Sequence, residues 1–214
     1  MYRIGFVDDL RAIDSDIFPM YEEKFLMKGL TLLSPAPRLT KEALVEWIQT
    51  NGISCLLVDY MLDSEYSFSG TDLVAYINSA LPDLPCIILT AFPGQSTSEH
   101  MVVKAMIYDR DLFTNWEKFS VFADELQYAA QVFTNRLELR KGEYIELLKK
   151  RTVGVLNNAE EERFLDLYKL LKAYGEVDEI PLELLRPEAG RKMDAMLDRL
   201  NVLIEKTSKP EGEG

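Results

Sequence analysis

Carboxylates stand at the ends of two apolar runs. "RIGFVDDL" (3–10) closes on Asp8 and Asp9, and "CLLVDYML" (55–62) carries Asp59 out of an otherwise apolar stretch. A third run, "CIILTAF" (86–92), ends on a hydroxyl, Thr90. Singly, each is an ordinary turn or cap residue, and Asp59 alone reads equally well as a loop cap or as a reactive group. Held together, the three carboxylates would repel one another and lose hydration, so they need a cation, and oxygen-only ligands at a partly open site suit Mg²⁺. In that setting Asp59 would attack phosphorus and form an acyl phosphate, while Thr90 would hydrogen-bond a phosphoryl oxygen.

Bringing the four side chains together requires particular elements. Short apolar runs alternate with helical patterns: "RIGFV" (3–7) precedes a helical stretch to about Lys28, divided near Ser15 because Pro19 fits a first turn. "LTLL" (30–33) precedes "TKEALVEWIQTNG", with Thr40 as N-cap and Gly52 as stop. "SCLLVD" (54–59) leads into "TDLVAYINSAL", "CIILTA" (86–91) into a short polar helix over 96–104, and "AMIYD" (105–109) into a long helix from Trp116. Five strands alternating with helices predict a doubly wound parallel sheet. In the common order 2-1-3-4-5 the switch point lies between strands one and three, at whose carboxyl ends ligands collect. Asp8, Asp9 and Asp59 fall there.

Beyond residue 115 the strand signals stop. Phe119, Phe122, Leu126, Ala129 and Phe133 recur at helical steps, and an unbroken helix to Arg151 would span roughly 50 Å, with Gly142 as its weak point. "NAEEERFLDLYKLLKAYG" reads as a second helix, capped by Asn158 and ended by Gly175. A third begins near Pro187, with Met193, Met196, Leu197, Leu200 and Leu203 on one face as core filler. The tail "TSKPEGEG" reads as disordered. The boundaries expected are 1–128 for the α/β domain, 129–206 for an all-helical output or oligomerisation region, and 207–214 for the tail.

Composition narrows the function classes. With 47% hydrophobic and 28% charged residues the chain is an ordinary globular one. It shows neither a leader pattern nor a stretch of roughly 18 apolar residues, so a cytoplasmic protein without a membrane partner is expected. A net charge of −12 disfavours nucleic acid as a partner. The basic stretch "RLELRKGEYIELLKKR" (136–151) is interrupted by acids and reads as a solvated helix face. Cys55 and Cys86 open core strands and read as buried free thiols, and a single His, His100, in the polar segment after the fourth strand, reads as solvent-exposed and all but excludes a zinc cluster.

On these residues the first 128 positions resemble the receiver domain of two-component response regulators. "FVDDL" matches the acidic pair, "LLVDYML" the acceptor strand, "GTDLVAYI" the following helix and "CIILTAF" the hydroxyl strand. The resemblance implies a flavodoxin-like fold in which Asp8, Asp9 and Asp59, with the Met61 backbone carbonyl, hold Mg²⁺. It further implies that Asp59 accepts the phosphoryl group, that Thr90 senses it, and that the donor is a sensor histidine kinase or phosphotransfer protein. Such a chain undergoes phosphorylation and dephosphorylates itself without a separate catalytic domain, so no enzyme activity beyond that is expected. Signalling would run through the face of the fourth helix, fifth strand and fifth helix into the C-terminal helices, toward a protein effector or a second copy of the chain.

Departures from the pattern are specific. "YMLDSEYSFSG" is longer than usual after the acceptor and lacks the common Pro; around the fifth strand, "MIYDRDLF" stands where the family has Lys followed by Pro. Arg110 best matches that Lys, with Lys104 a weaker candidate two to four residues early. Arg keeps the charge but is planar and forked, so the exchange is not neutral. Tyr108 occupies the region of the aromatic switch and reads equally as an edge-of-core tyrosine. These departures favour an alternative, a pseudo-receiver acting as a phosphorylation-independent scaffold. An aspartyl phosphatase of the haloacid dehalogenase type needs a second Asp two positions after the nucleophile following strand one, a spacing that "VDDLRA" lacks.

Overall fold

The computed structural model describes residues 1–8, 17–62, 66–91, 106–154 and 156–178. Asp9, His100, Lys104, the segment expected to form the short polar helix, the third C-terminal helix and the tail lie outside these residues. Elements run β1 (Tyr2–Val7), α1 (Ile17–Met27), β2 (Leu30–Leu33), α2 (Lys41–Asn51), β3 (Cys55–Asp59), α3 (Gly70–Ala80), β4 (Cys86–Thr90) and β5 (Ile107–Asp109). A 3-10 helix (Arg110–Thr114), α4 (Trp116–Val153) and α5 (Asn158–Ala173) complete the order.

The strands form one sheet in the order β2-β1-β3-β4-β5, every neighbouring pair parallel. Both faces are covered, which is why β3 and β4 are apolar up to their last residues, Asp59 and Thr90, instead of alternating. Cys55, Leu57, Ile87 and Leu89 face Phe25, Phe119, Phe122 and Leu126. Leu56, Val58 and Ile88 face Leu44, Ile48, Leu73, Val74 and Ile77 on the opposite side.

Local signals set most helix ends. The Thr40 hydroxyl accepts from the Ala43 N–H at 3.2 Å, and Gly52 takes a left-handed φ of 58° that an L side chain disfavours. The cap of α5 is one residue earlier than the sequence suggests. Asn157, not Asn158, accepts from Glu160 N at 3.0 Å, while the Glu160 carboxylate accepts from Asn157 N at 2.9 Å. Asn157 and Asn158 each have an acid three residues on, Glu160 and Glu161, so the pattern alone does not choose between them; in the fold the reciprocal pairing forms at Asn157.

Helix α4 is unbroken over 38 residues, about 57 Å at 1.5 Å per residue, and passes through Gly142 and through residues 128 and 129. One glycine costs about 1 kcal/mol in a helix interior, and packing on both sides of it offsets that. On the sheet side the buried set is Phe119, Phe122, Ala123, Leu126, Ala130 and Phe133; Ala130 takes the buried place expected for Ala129, which is only half-buried. Past Gly142, Tyr144 joins Phe164, Leu167, Tyr168 and Leu171 in a separate apolar cluster between α4 and α5.

α5 runs antiparallel to α4. Lys150 pairs with Glu160, Arg163 with Glu143 at 2.6 Å, and Lys141 with Glu176 at 2.5 Å. Within the basic stretch, Lys150 and Arg151 meet acids of α5, Lys141 meets Glu176 just past its end, Arg140 meets Asp83, and Lys149 meets Glu146 of its own helix. The far end of α5 returns to the amino edge of the sheet, where Gln49 donates to the Ala173 carbonyl at 2.6 Å and the Tyr174 hydroxyl donates to that of Pro82. The helical hairpin is therefore anchored at the edge opposite the carboxylates.

Cys55 and Cys86 are free and buried. Burial pushes the Cys55 thiol up to about 12 and raises that of Cys86 as well, so both stay protonated at neutral pH. Neither thiol should react with a thiol-specific reagent at pH 8 in the native protein, whereas both should react at once in denaturant. Native labelling at the denatured rate would contradict the core assignment.

Candidate functional site

The carboxyl ends of β1, β3 and β4 converge as the alternation of elements requires. Val7 pairs with Val58 and Asp59 with Leu89, which puts Asp8, Asp59 and Thr90 at one edge. All three are buried, Thr90 to within 1% of full exclusion from solvent. Met61 is exposed just beyond Asp59. Among the described residues two carboxylates meet here and no three-ligand metal group is found.

Arg110, the first residue of the 3-10 helix, enters this edge from β5. Its Nη2 donates to Asp8 Oδ2, and its Nη1 lies 3.2 Å from Asp59 Oδ2. One guanidinium thereby bridges the acids of two different strands. Burial works against its charge, but Asp8 and Asp59 outweigh burial and hold the guanidinium above its ordinary value. Arg110 is therefore charged at neutral pH.

Backbone contacts fix where that guanidinium starts from. Asp109 accepts from the Asp111 N–H at 2.9 Å and the Thr114 hydroxyl donates to the Asp111 carbonyl at 2.7 Å. Phe113 stacks on Tyr21 at 4.2 Å between ring centroids, and Lys24 donates to the Phe113 carbonyl at 2.5 Å. The short helix leads through Asn115, whose side chain caps α4 by accepting from Lys118 N at 3.0 Å.

Two features of the site escape sequence reading. Gly70 opens α3 directly against the acceptor: its N–H donates to the Tyr60 carbonyl at 3.0 Å, and a Cβ there would sit 2.1 Å from the Asp59 carbonyl oxygen. The available signal was "SGTD", a capping box in which Ser69 and Asp72 cap each other's backbone and Gly fills the first helical position. The lengthened loop after Asp59 also turns inward, since Leu62, Tyr66 and Phe68 are buried against α2 and α3 and Lys41 lies 5.1 Å over the Phe68 ring. Tyr108, read in two ways above, is half-buried; it packs on Phe122 and donates to Glu125 at 2.8 Å.

Five parallel strands in the order 2-1-3-4-5 make this a flavodoxin-like fold, continued by C-terminal helices. Among solved structures it is similar to the receiver domain of the Francisella response regulator 1452, at 15% identity and a TM-score of 0.45, over 59% of this chain and 96% of that one. It is also similar to the RcsB response regulator of Salmonella typhimurium, at 13% identity and a TM-score of 0.44, over 83% of this chain and 94% of that one. No protein-family model and no curated protein matches the sequence. None of the described helices is long and apolar enough to cross a membrane.

Proposed function

We propose that the chain is a cytoplasmic phosphorelay receiver that takes a phosphoryl group on Asp59 and signals through its C-terminal helices. The observation that carries this reading is the meeting of buried Asp59, Asp8 and Thr90 with the Arg110 guanidinium at one sheet edge. An Asp59 carboxylate oxygen forms the O–P bond while the P–N or P–O bond of the donor breaks, and the leaving group departs with the electron pair and takes up a proton. Arg110 is placed to pair with phosphoryl oxygens as the charge on them grows, and the Thr90 hydroxyl would donate to one of them.

The oxygen donors suit a hard divalent cation: two buried carboxylates, Asp8 and Asp59, with the Met61 carbonyl adjacent and Asp9 next in sequence. Bound there, Mg²⁺ would offset charge on the phosphoryl group and the acids. Output would follow from movement of Arg110, because the 3-10 helix joins it directly to the capped start of α4. A histidine kinase or phosphotransfer protein is the donor class this chemistry needs, and protein partners are the output class that the acidic balance favours.

Intact mass of the full chain, incubated with acetyl phosphate with and without Mg²⁺, tests the reading. A gain of about 80 Da, one phosphoryl group, is expected in the wild type with Mg²⁺ and not in Asp59→Asn. One observation favours a second reading. Arg110 already partly neutralises the acids, as a phosphorylation-independent scaffold would require. Absence of any mass gain under conditions that label a known receiver would put the scaffold first.

A further inference from the structure

We infer that Arg110 competes with divalent cations for Asp8 and Asp59, so that the unphosphorylated protein binds Mg²⁺ weakly and Arg110 sets the threshold. The inference rests on the receiver reading only in taking these two acids as the cation-binding pair. Both carboxylates are nearly closed to solvent, with side chains 3% and 7% exposed, and the Arg110 side chain is 19% exposed. A guanidinium is planar and forked, so one residue reaches both acids at once; the point charge of a lysine engages one strongly. Asp8 Oδ2 and Asp59 Oδ2 both face the guanidinium.

Charge arithmetic gives the sign. Two carboxylates and one guanidinium leave a net charge of −1 on these three groups, whereas the two acids without Arg110 present −2 to an incoming cation. A monocation and a dication sharing one poorly solvated pocket repel each other, so the metal enters as the guanidinium leaves. The Asp109 cap and the Phe113–Tyr21 stack brace the Arg110 backbone, so release of the acids begins with the side chain. A phosphoryl group on Asp59 would give the displaced guanidinium new oxygens to pair with, which makes Arg110 antagonistic to the cation before phosphorylation and cooperative with it afterwards.

Free Mn²⁺ measured by electron paramagnetic resonance, with Mg²⁺ as competitor, tests this on the unphosphorylated full chain. Arg110→Met is expected to bind the Asp59-dependent Mn²⁺ about 10-fold more tightly than the wild type, about 1.4 kcal/mol, with Arg110→Lys in between. Equal or weaker binding by Arg110→Met overturns the competition. A measurement on the wild type needs no variant to fold: Mg²⁺ should shift the ¹⁵N resonances of the bridged guanidinium to those of a free arginine, and their persistence at saturating Mg²⁺ overturns the inference equally. Labelling of Asp59 together with unchanged Mn²⁺ affinity in Arg110→Met would sink the competition and leave the receiver reading standing. Absence of any Asp59-dependent Mn²⁺ binding in all variants would sink the competition and the cation part of that reading together.

Discussion

Gly70→Ala is expected to destabilise the protein by about 3 kcal/mol and to abolish phosphoryl transfer to Asp59. The added Cβ would lie 2.1 Å from the Asp59 carbonyl oxygen, 3.0 Å from its carbonyl carbon and 3.0 Å from the Tyr60 Cα. All three are backbone atoms, so no rotamer change relieves the clash. The strand end cannot shift freely either, since Tyr60 N donates to the Leu89 carbonyl at 3.0 Å and ties β3 to β4. Helix propensity alone would give the opposite sign, a gain of up to about 1 kcal/mol for Ala over Gly. Gly142→Ala isolates that gain, because nothing lies within 4 Å of its added Cβ. Urea denaturation of the two variants should therefore move the midpoint in opposite directions. A Gly70→Ala protein as stable as Gly142→Ala would refute the backbone contact beside Asp59.

Phe164→Ala should cost about 3–5 kcal/mol within the helical hairpin while leaving the sheet folded. Phe164 is fully buried, stacks on Tyr144 at 5.0 Å between centroids and lies 4.9 Å from the Arg151 guanidinium. Its cluster is distinct from the two that sandwich the sheet and touches one of them through Leu137. The ion pairs of the hairpin are mostly exposed and contribute little in its place. Hydrogen exchange read by mass spectrometry should show amides of α5 and of the second half of α4 losing protection, while β3 and β4 keep theirs and Cys55 and Cys86 stay unreactive. Simultaneous exposure of those cysteines would mean that hairpin and sheet unfold as one unit.

Features governed by short-range chemistry are legible in the residue order alone. The five apolar runs specified five strands because both faces of a parallel sheet are buried, and the intervening helical patterns forced parallel connections. Thr40, Gly52 and Gly175 marked helix ends through hydrogen bonds and backbone angles confined to a few residues. Asp8, Asp59 and Thr90 could be assigned to one edge because a parallel sheet aligns all its carboxyl ends. The cap of α5 is legible only to within one residue, since Asn157 and Asn158 are chemically identical and each is followed three residues on by a glutamate.

Tertiary structure alone decided the rest. Arg110 lies 102 residues from Asp8, and nothing in their spacing says that one guanidinium will span the acids of β1 and β3. The collision that makes Gly70 obligatory involves the backbone of Asp59, across a loop whose path the sequence does not encode locally. Likewise the return of Tyr174 to Pro82, 92 residues away, fixes the hairpin at the sheet edge opposite the carboxylates. The physical reason is common to all three. Periodicity and caps report free energies that fall off within a turn or two of chain, whereas charge pairing and steric exclusion depend on distance through space, which exists only once the sheet has assembled.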